Sequence, residues 1–65
     1  MTKKEADLEM MKGTKITHRY FSKSEWMTYF DDCVLFEDGC SIPKYIFWAD
    51  RRGEDWEDGY ELFKD

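Results

Sequence analysis

The stretch from Val34 to Trp48 constrains this chain more than any other. Val34-Leu35-Phe36 reads as a buried strand, and Glu37-Asp38-Gly39 as a tight turn in which glycine supplies the positive φ. Ser41 is placed to cap a helix and Pro43 to sit in its first turn. From there Ile42, Tyr45, Ile46 and Ala49 recur at helical spacing, predicting a helix over about residues 43–52 that lays this stripe on a sheet. Phe47 and Trp48 fall on its flanks, free of that core face. Arg51 and Arg52 suit the helix C-terminal dipole and Gly53 its cap. Strand, turn and helix signals agree with one another, and none of them carries catalytic chemistry.

The preceding residues supply partners for that strand. Thr14 to Phe21 is rich in β-branched and aromatic types and predicts a first strand, with Ile16, His18 and Tyr20 on one face. His18 between two apolar neighbours fits a packed structural histidine. Ser22-Lys23-Ser24-Glu25 matches a capping box, with Phe21 and Trp26 in the positions of a hydrophobic staple. A short helical turn is therefore expected after the first strand. Met27-Thr28-Tyr29-Phe30 can continue that turn as helix or form a hairpin with Cys33 to Phe36 across Asp31-Asp32. The β-forming residue types favour the hairpin. Its faces would be Met27/Tyr29/Val34/Phe36 and Thr28/Phe30/Cys33/Leu35, both apolar. Tyr60 to Lys64 reads as a last short strand.

The expected fold is a small α+β domain over residues 14–65. It comprises a three- to four-stranded, mainly antiparallel sheet, one helix at about 43–52 on one face and the short turn after the first strand. Residues 1–13 are expected outside it, as a flexible or frayed helical N-terminus over 5–12 that ends at Gly13.

Sixty-five residues support one marginal core. Three Trp, four Tyr and five Phe are more rings than so small an interior hides, so some are expected at an interface, where a second copy of the chain would complete the core. Charge is uneven. Residues 1–30 hold six basic and four acidic residues, a net of +2; residues 31–65 hold four basic and eleven acidic, a net of −7. Without a clustered basic surface, direct nucleic-acid binding is not expected. An acidic surface suits a basic partner, imitation of nucleic acid, or simple solubility.

Cys33 and Cys40 match no zinc spacing and read as small apolar residues. The charged N-terminal residues do not resemble a secretion signal, and no apolar run is long enough to span a membrane. No Gly-rich phosphate loop or nucleophile elbow occurs. Adjacent acids such as Asp31/Asp32 read as turn formers. The expectation is a non-enzymatic protein without metal or cofactor.

Thr17-His18-Arg19-Tyr20-Phe21-Ser22, Glu25-Trp26, Phe36-Glu37-Asp38-Gly39, Phe47-Trp48 and Asp58-Gly59 follow one another in an order that resembles a group of short accessory proteins of T4-like tailed bacteriophages. The resemblance spans about residues 14–63. It departs at Tyr60, where such proteins often carry Trp, and at Asp31-Asp32, where they often include Gly. It implies a protein acting in the cytoplasm of an infected bacterium and brings no catalytic residues with it. The expected function is then to bind a host protein, a defence or nucleic-acid-processing factor, and to inhibit or redirect it. Phe47, Trp48 and Trp56 would be the anchors, within a rim of Glu54, Asp55, Glu57 and Asp58. A minor virion or assembly component, and an acidic nucleic-acid mimic, are the other expectations.

Overall fold

Two adjacent aspartates make the central hairpin possible. Asp31 and Asp32 both adopt left-handed backbone conformations, with φ of 52° and 60°, as a two-residue turn matched to strand twist requires. Aspartate tolerates that region better than most residues. The turn sets β2 (Met27–Phe30) against β3 (Cys33–Phe36) in antiparallel register, Phe30 opposite Cys33 and Thr28 opposite Leu35. The hairpin expectation holds, including its two faces.

The computed structural model describes residues 1–64. Their order is α1 (Lys3–Met11), β1 (Ile16–His18), β2, β3, β4 (Ser41–Pro43), α2 (Lys44–Ala49), a 3-10 turn (Glu54–Trp56) and β5 (Tyr60–Leu62). The five strands form one sheet in the order β4-β3-β2-β1-β5, antiparallel throughout. The α+β class and the mainly antiparallel sheet are as expected, with one strand more.

The extra strand is β4. Gly39, at φ 90°, turns the chain back so that Cys40 O accepts from Phe36 N at 2.8 Å. Ser41 then pairs with Leu35 instead of capping a helix. Pro43 lacks an N–H, which an edge strand accommodates, and it becomes the residue preceding α2. The helix is accordingly six residues long rather than ten. Its buried face is also the other one. Phe47 is fully buried and Trp48 half-buried, whereas Tyr45 is 75% and Ile46 42% exposed. Two apolar stripes compete on this helix, and the one with the larger rings wins because each ring removes more apolar surface from water. Arg51 lies beyond the helix, yet its Nη1 still donates to Phe47 O at 3.1 Å. Gly53 precedes the 3-10 turn instead of capping α2.

Residues 1–13, set apart from the domain in the sequence, pack into it. Thr2 Oγ1 accepts from Glu5 N and Glu5 Oε1 from Thr2 N, a complete capping box. Gly13 closes the helix as expected, its N–H on Met10 O. Ala6 and Met10, one turn apart, are both fully buried. The segment is tied to the far end of the chain by Lys3 N to Glu57 O at 2.8 Å and Met1 N to Tyr60 O at 2.7 Å. Such distant partners leave no local sequence signal.

Helix α1 covers β1, β2 and β5, and α2 covers β3 and β4. Ala6, Met10, Ile16, Met27, Val34, Phe47 and Tyr60 form the core between helices and sheet, all at 0% exposure. A hydrogen-bonded chain pins the two helices to the sheet: Trp48 Nε1 donates to Tyr29 Oη at 2.8 Å, and Tyr29 Oη donates to Asp7. Burial and the Asp7 carboxylate raise the Tyr29 pKa.

Ser22 and Glu25 form a turn rather than a helix. Glu25 Oε1 accepts from Ser22 N at 2.8 Å, and Glu25 N donates to Ser22 O at 3.1 Å. The expected staple does not bring Phe21 and Trp26 together. Phe21 packs on the core, and Trp26 stands 6.4 Å from Phe63, between ring centres. The two cysteines are free thiols; Cys33 is half-buried, but Cys40 is exposed on its turn, not apolar filling.

Candidate binding surface

Trp56 organises the end of the molecule where β1 and β5 meet. Its 3-10 turn is fixed from below by Tyr60, whose hydroxyl donates to Trp56 O at 2.7 Å. Burial, foremost, pushes the Tyr60 pKa up to about 12, keeping that donor protonated. The His18 ring stacks on Trp56 at 4.3 Å between centroids. Tyr20 meets it edge-on at 5.4 Å and Phe21 lies at 6.4 Å.

His18 is structural, as its place in the strand suggests. Its Nε2 donates to Asp58 O at 2.9 Å, and its Nδ1 accepts from Tyr20 N at 3.2 Å. Both nitrogens are satisfied by the neutral ring. Burial, the main cause, lowers its pKa, and protonation would turn the Nδ1 acceptor into a donor facing another donor.

Around this cluster stand the acids. Asp58 accepts from Arg19 Nη1 at 3.1 Å. The Arg19 side chain lies so close over Gly59 that a Cβ there would meet its Nη1 at 3.1 Å and its stem carbons at 3.2 Å, and Gly59 also holds φ at 92°. Any other residue would strain the backbone at that φ and push the arginine aside by a few tenths of an ångström. Glu54, Asp55 and Glu57 are exposed, and the described residues place neither a hydrogen bond nor an ion pair on their carboxylates.

Of the residues expected to bind a partner, Trp48 and Trp56 both meet Tyr60, Trp48 at 6.0 Å between ring centres and Trp56 through its carbonyl, and the four acids flank Trp56 in the chain. Phe47 is not among the available ones: at 0% exposure it belongs to the core. Trp48 is half-buried beneath Lys3, whose Nζ lies 4.9 Å from its ring centre. Tyr20 is the residue the sequence misses. Alternation placed it on the buried face with Ile16 and His18, but the strand ends at His18 and leaves Tyr20 56% exposed beside Trp56.

The rings share one further feature. Lys15 covers Trp26 at 4.6 Å, Arg19 lies 5.5 Å from Tyr20, Lys44 5.0 Å from Tyr29, and Arg51 4.0 Å from Phe47 and 5.2 Å from Trp56. With Lys3, five of the ten basic residues stand over the chain's own aromatic rings.

Among the described residues no concave pocket is present, no three His, Cys, Asp or Glu side chains converge as metal ligands, and no helix is long and apolar enough to cross a membrane. No family model, curated protein or solved structure matches the chain.

Proposed function

We propose that this chain is a non-catalytic binding protein whose acidic Trp56 edge engages a basic surface on a host protein, inhibiting or redirecting it in the cytoplasm of an infected bacterium. The observation that carries this is the placement of charge. Half of the cations stand over the chain's own rings, while Glu54, Asp55 and Glu57 are exposed, with no partner for their carboxylates among the described residues. Around Trp56 the acids Glu54, Asp55, Glu57 and Asp58 outnumber the cations Arg19 and Arg51, and the natural complement of such an edge is a cationic groove such as a nucleic-acid-processing factor presents. Trp56 and Tyr20 add apolar contact beside that rim. Phe47 takes no part. The phage setting rests on the resemblance described above.

Affinity capture from infected-cell lysate tests this with a triple charge reversal, Glu54→Lys, Asp55→Lys and Glu57→Lys, at exposed positions that leave folding intact. The wild-type chain should retain a host protein that the variant loses and that elutes as salt rises. Retention by both forms alike would refute the proposal. A second role, as a minor virion or assembly component, is favoured by the sheet face that no helix covers. Stoichiometric presence in purified virions, by mass spectrometry, would select that role instead.

A further inference from the structure

The sheet has a second face over which the described residues lay no helix or strand. Alternation and register send Thr28, Phe30, Cys33, Leu35 and Pro43 to the side opposite the helices. Trp26 and Phe63 continue the face past the strand ends. Phe30 is 64% exposed. At the middle of the face Thr28 is only 9% exposed, and its hydroxyl has no hydrogen-bond partner. The centre of this patch is therefore already dry, and a surface laid on it strips no hydrated polar group there. A sheet apolar on both faces and covered on one lacks a layer.

The identity of the missing layer follows from charge and from the sheet edges. The chain carries a net −5, yet the strand positions on this face include one acid, Glu61, with Lys15 next to the strand beside it. Glu54, Asp55 and Glu57 lie elsewhere, because Trp56 packs on His18 and Tyr60 of the helix-covered side. This is the face across which two acidic copies repel each other least. Edge-to-edge pairing is poorly served, since β4 and β5 are three residues each and β4 ends in proline. Five strands about 4.8 Å apart make a face roughly 24 Å wide. Two copies would bury on the order of 1,000 Å² in all, at the lower limit of a specific interface.

The geometry points to this face as a homodimer interface, in which two copies stack sheet to sheet and Trp26, Phe30, Leu35 and Phe63 of each fill the space between. The small area makes the dimer concentration-dependent rather than obligate.

Sedimentation velocity on the full chain, from about 1 µM to about 1 mM, should show monomer passing into dimer in the micromolar range. The transition should persist in about 1 M salt, because apolar contacts are not screened. Phe30→Glu, at an exposed position, should weaken association at least about tenfold while leaving circular dichroism unchanged. Amide NMR of the wild-type chain on dilution should show shifts concentrated in β2 and β3. A chain that stays monomeric to about 1 mM, or a dimer lost in high salt, overturns the proposal. So does a dimer indifferent to Phe30→Glu, or shifts confined to Tyr45 and Ile46 on the other exposed apolar patch.

Discussion

The two faces of this sheet are built from the same kinds of residue and do different work. On the covered face Ile16, Met27, Val34 and Tyr60 are fully buried under Ala6, Met10 and Phe47. On the bare face Phe30 is 64% exposed, and Trp26 meets Phe63 and the Lys15 side chain rather than a helix. Aromatic content alone therefore says nothing about role. What decides it is whether a helix lies over the ring. The covered rings hold a marginal domain together, whereas the bare ones remain available to another molecule.

That contrast is most easily broken by truncating one ring from each side. Phe47→Ala removes a fully buried ring and should cost about 3–5 kcal/mol, enough to leave a 65-residue domain largely unfolded in urea titration at 25 °C. Phe30→Ala, measured at low concentration, should change stability by less than about 1 kcal/mol.

Met10→Ala comes next. If α1 is part of the core, this substitution costs roughly 2–4 kcal/mol; a helix merely attached would lose only a few tenths. Urea midpoints separate the two outcomes.

On the bare face the sign reverses. Thr28→Val replaces a buried hydroxyl that has no partner and should leave stability unchanged or raise it by about 1 kcal/mol. A clear loss would mean that the hydroxyl is bonded in solution.

The smallest effect is that of pH on the covered face. His18 has a lowered pKa because it is buried. Above about pH 6.5 it is neutral folded or unfolded, so its contribution to stability is fully present. As pH falls below that value, the unfolded chain takes up a proton that the folded chain resists, and stability declines until the folded histidine also titrates. Urea midpoints between about pH 7.5 and 5 should show this decline, and His18→Phe should flatten it.

Local chemistry made much of the fold legible. The Asp31-Asp32 hairpin, its register, the Asp38-Gly39 turn and the last strand all follow from residue type and spacing. The ring-bearing stripe of α2 did not stand out, because Ile42, Tyr45, Ile46 and Ala49 offered a helical repeat just as regular. Ser41 and Pro43 suit both a helix start and an edge strand, and only the pairing of β4 with β3 separates the two. The docking of α1 depends on bonds to Glu57 and Tyr60, more than fifty residues away, for which the sequence holds no pattern. Of the binding surface, the acids were visible as a run. Tyr20 was not, because strand alternation gives no sign of where a strand stops. The bare face was present in outline, as a hairpin apolar on both sides, with nothing to show that both helices would choose the same one.

The contrast between the faces is tested most directly by the solvent accessibility of individual rings. A neutral paramagnetic cosolute, added to the chain at a concentration where it is monomeric, broadens the NMR signals of ring protons that water reaches. The Phe30 ring should broaden strongly, while Phe47 and Tyr60, both at 0% exposure, should be nearly unaffected. Equal broadening of Phe30 and Phe47 would contradict the division of the sheet into a face that holds the fold and a face that is free to bind.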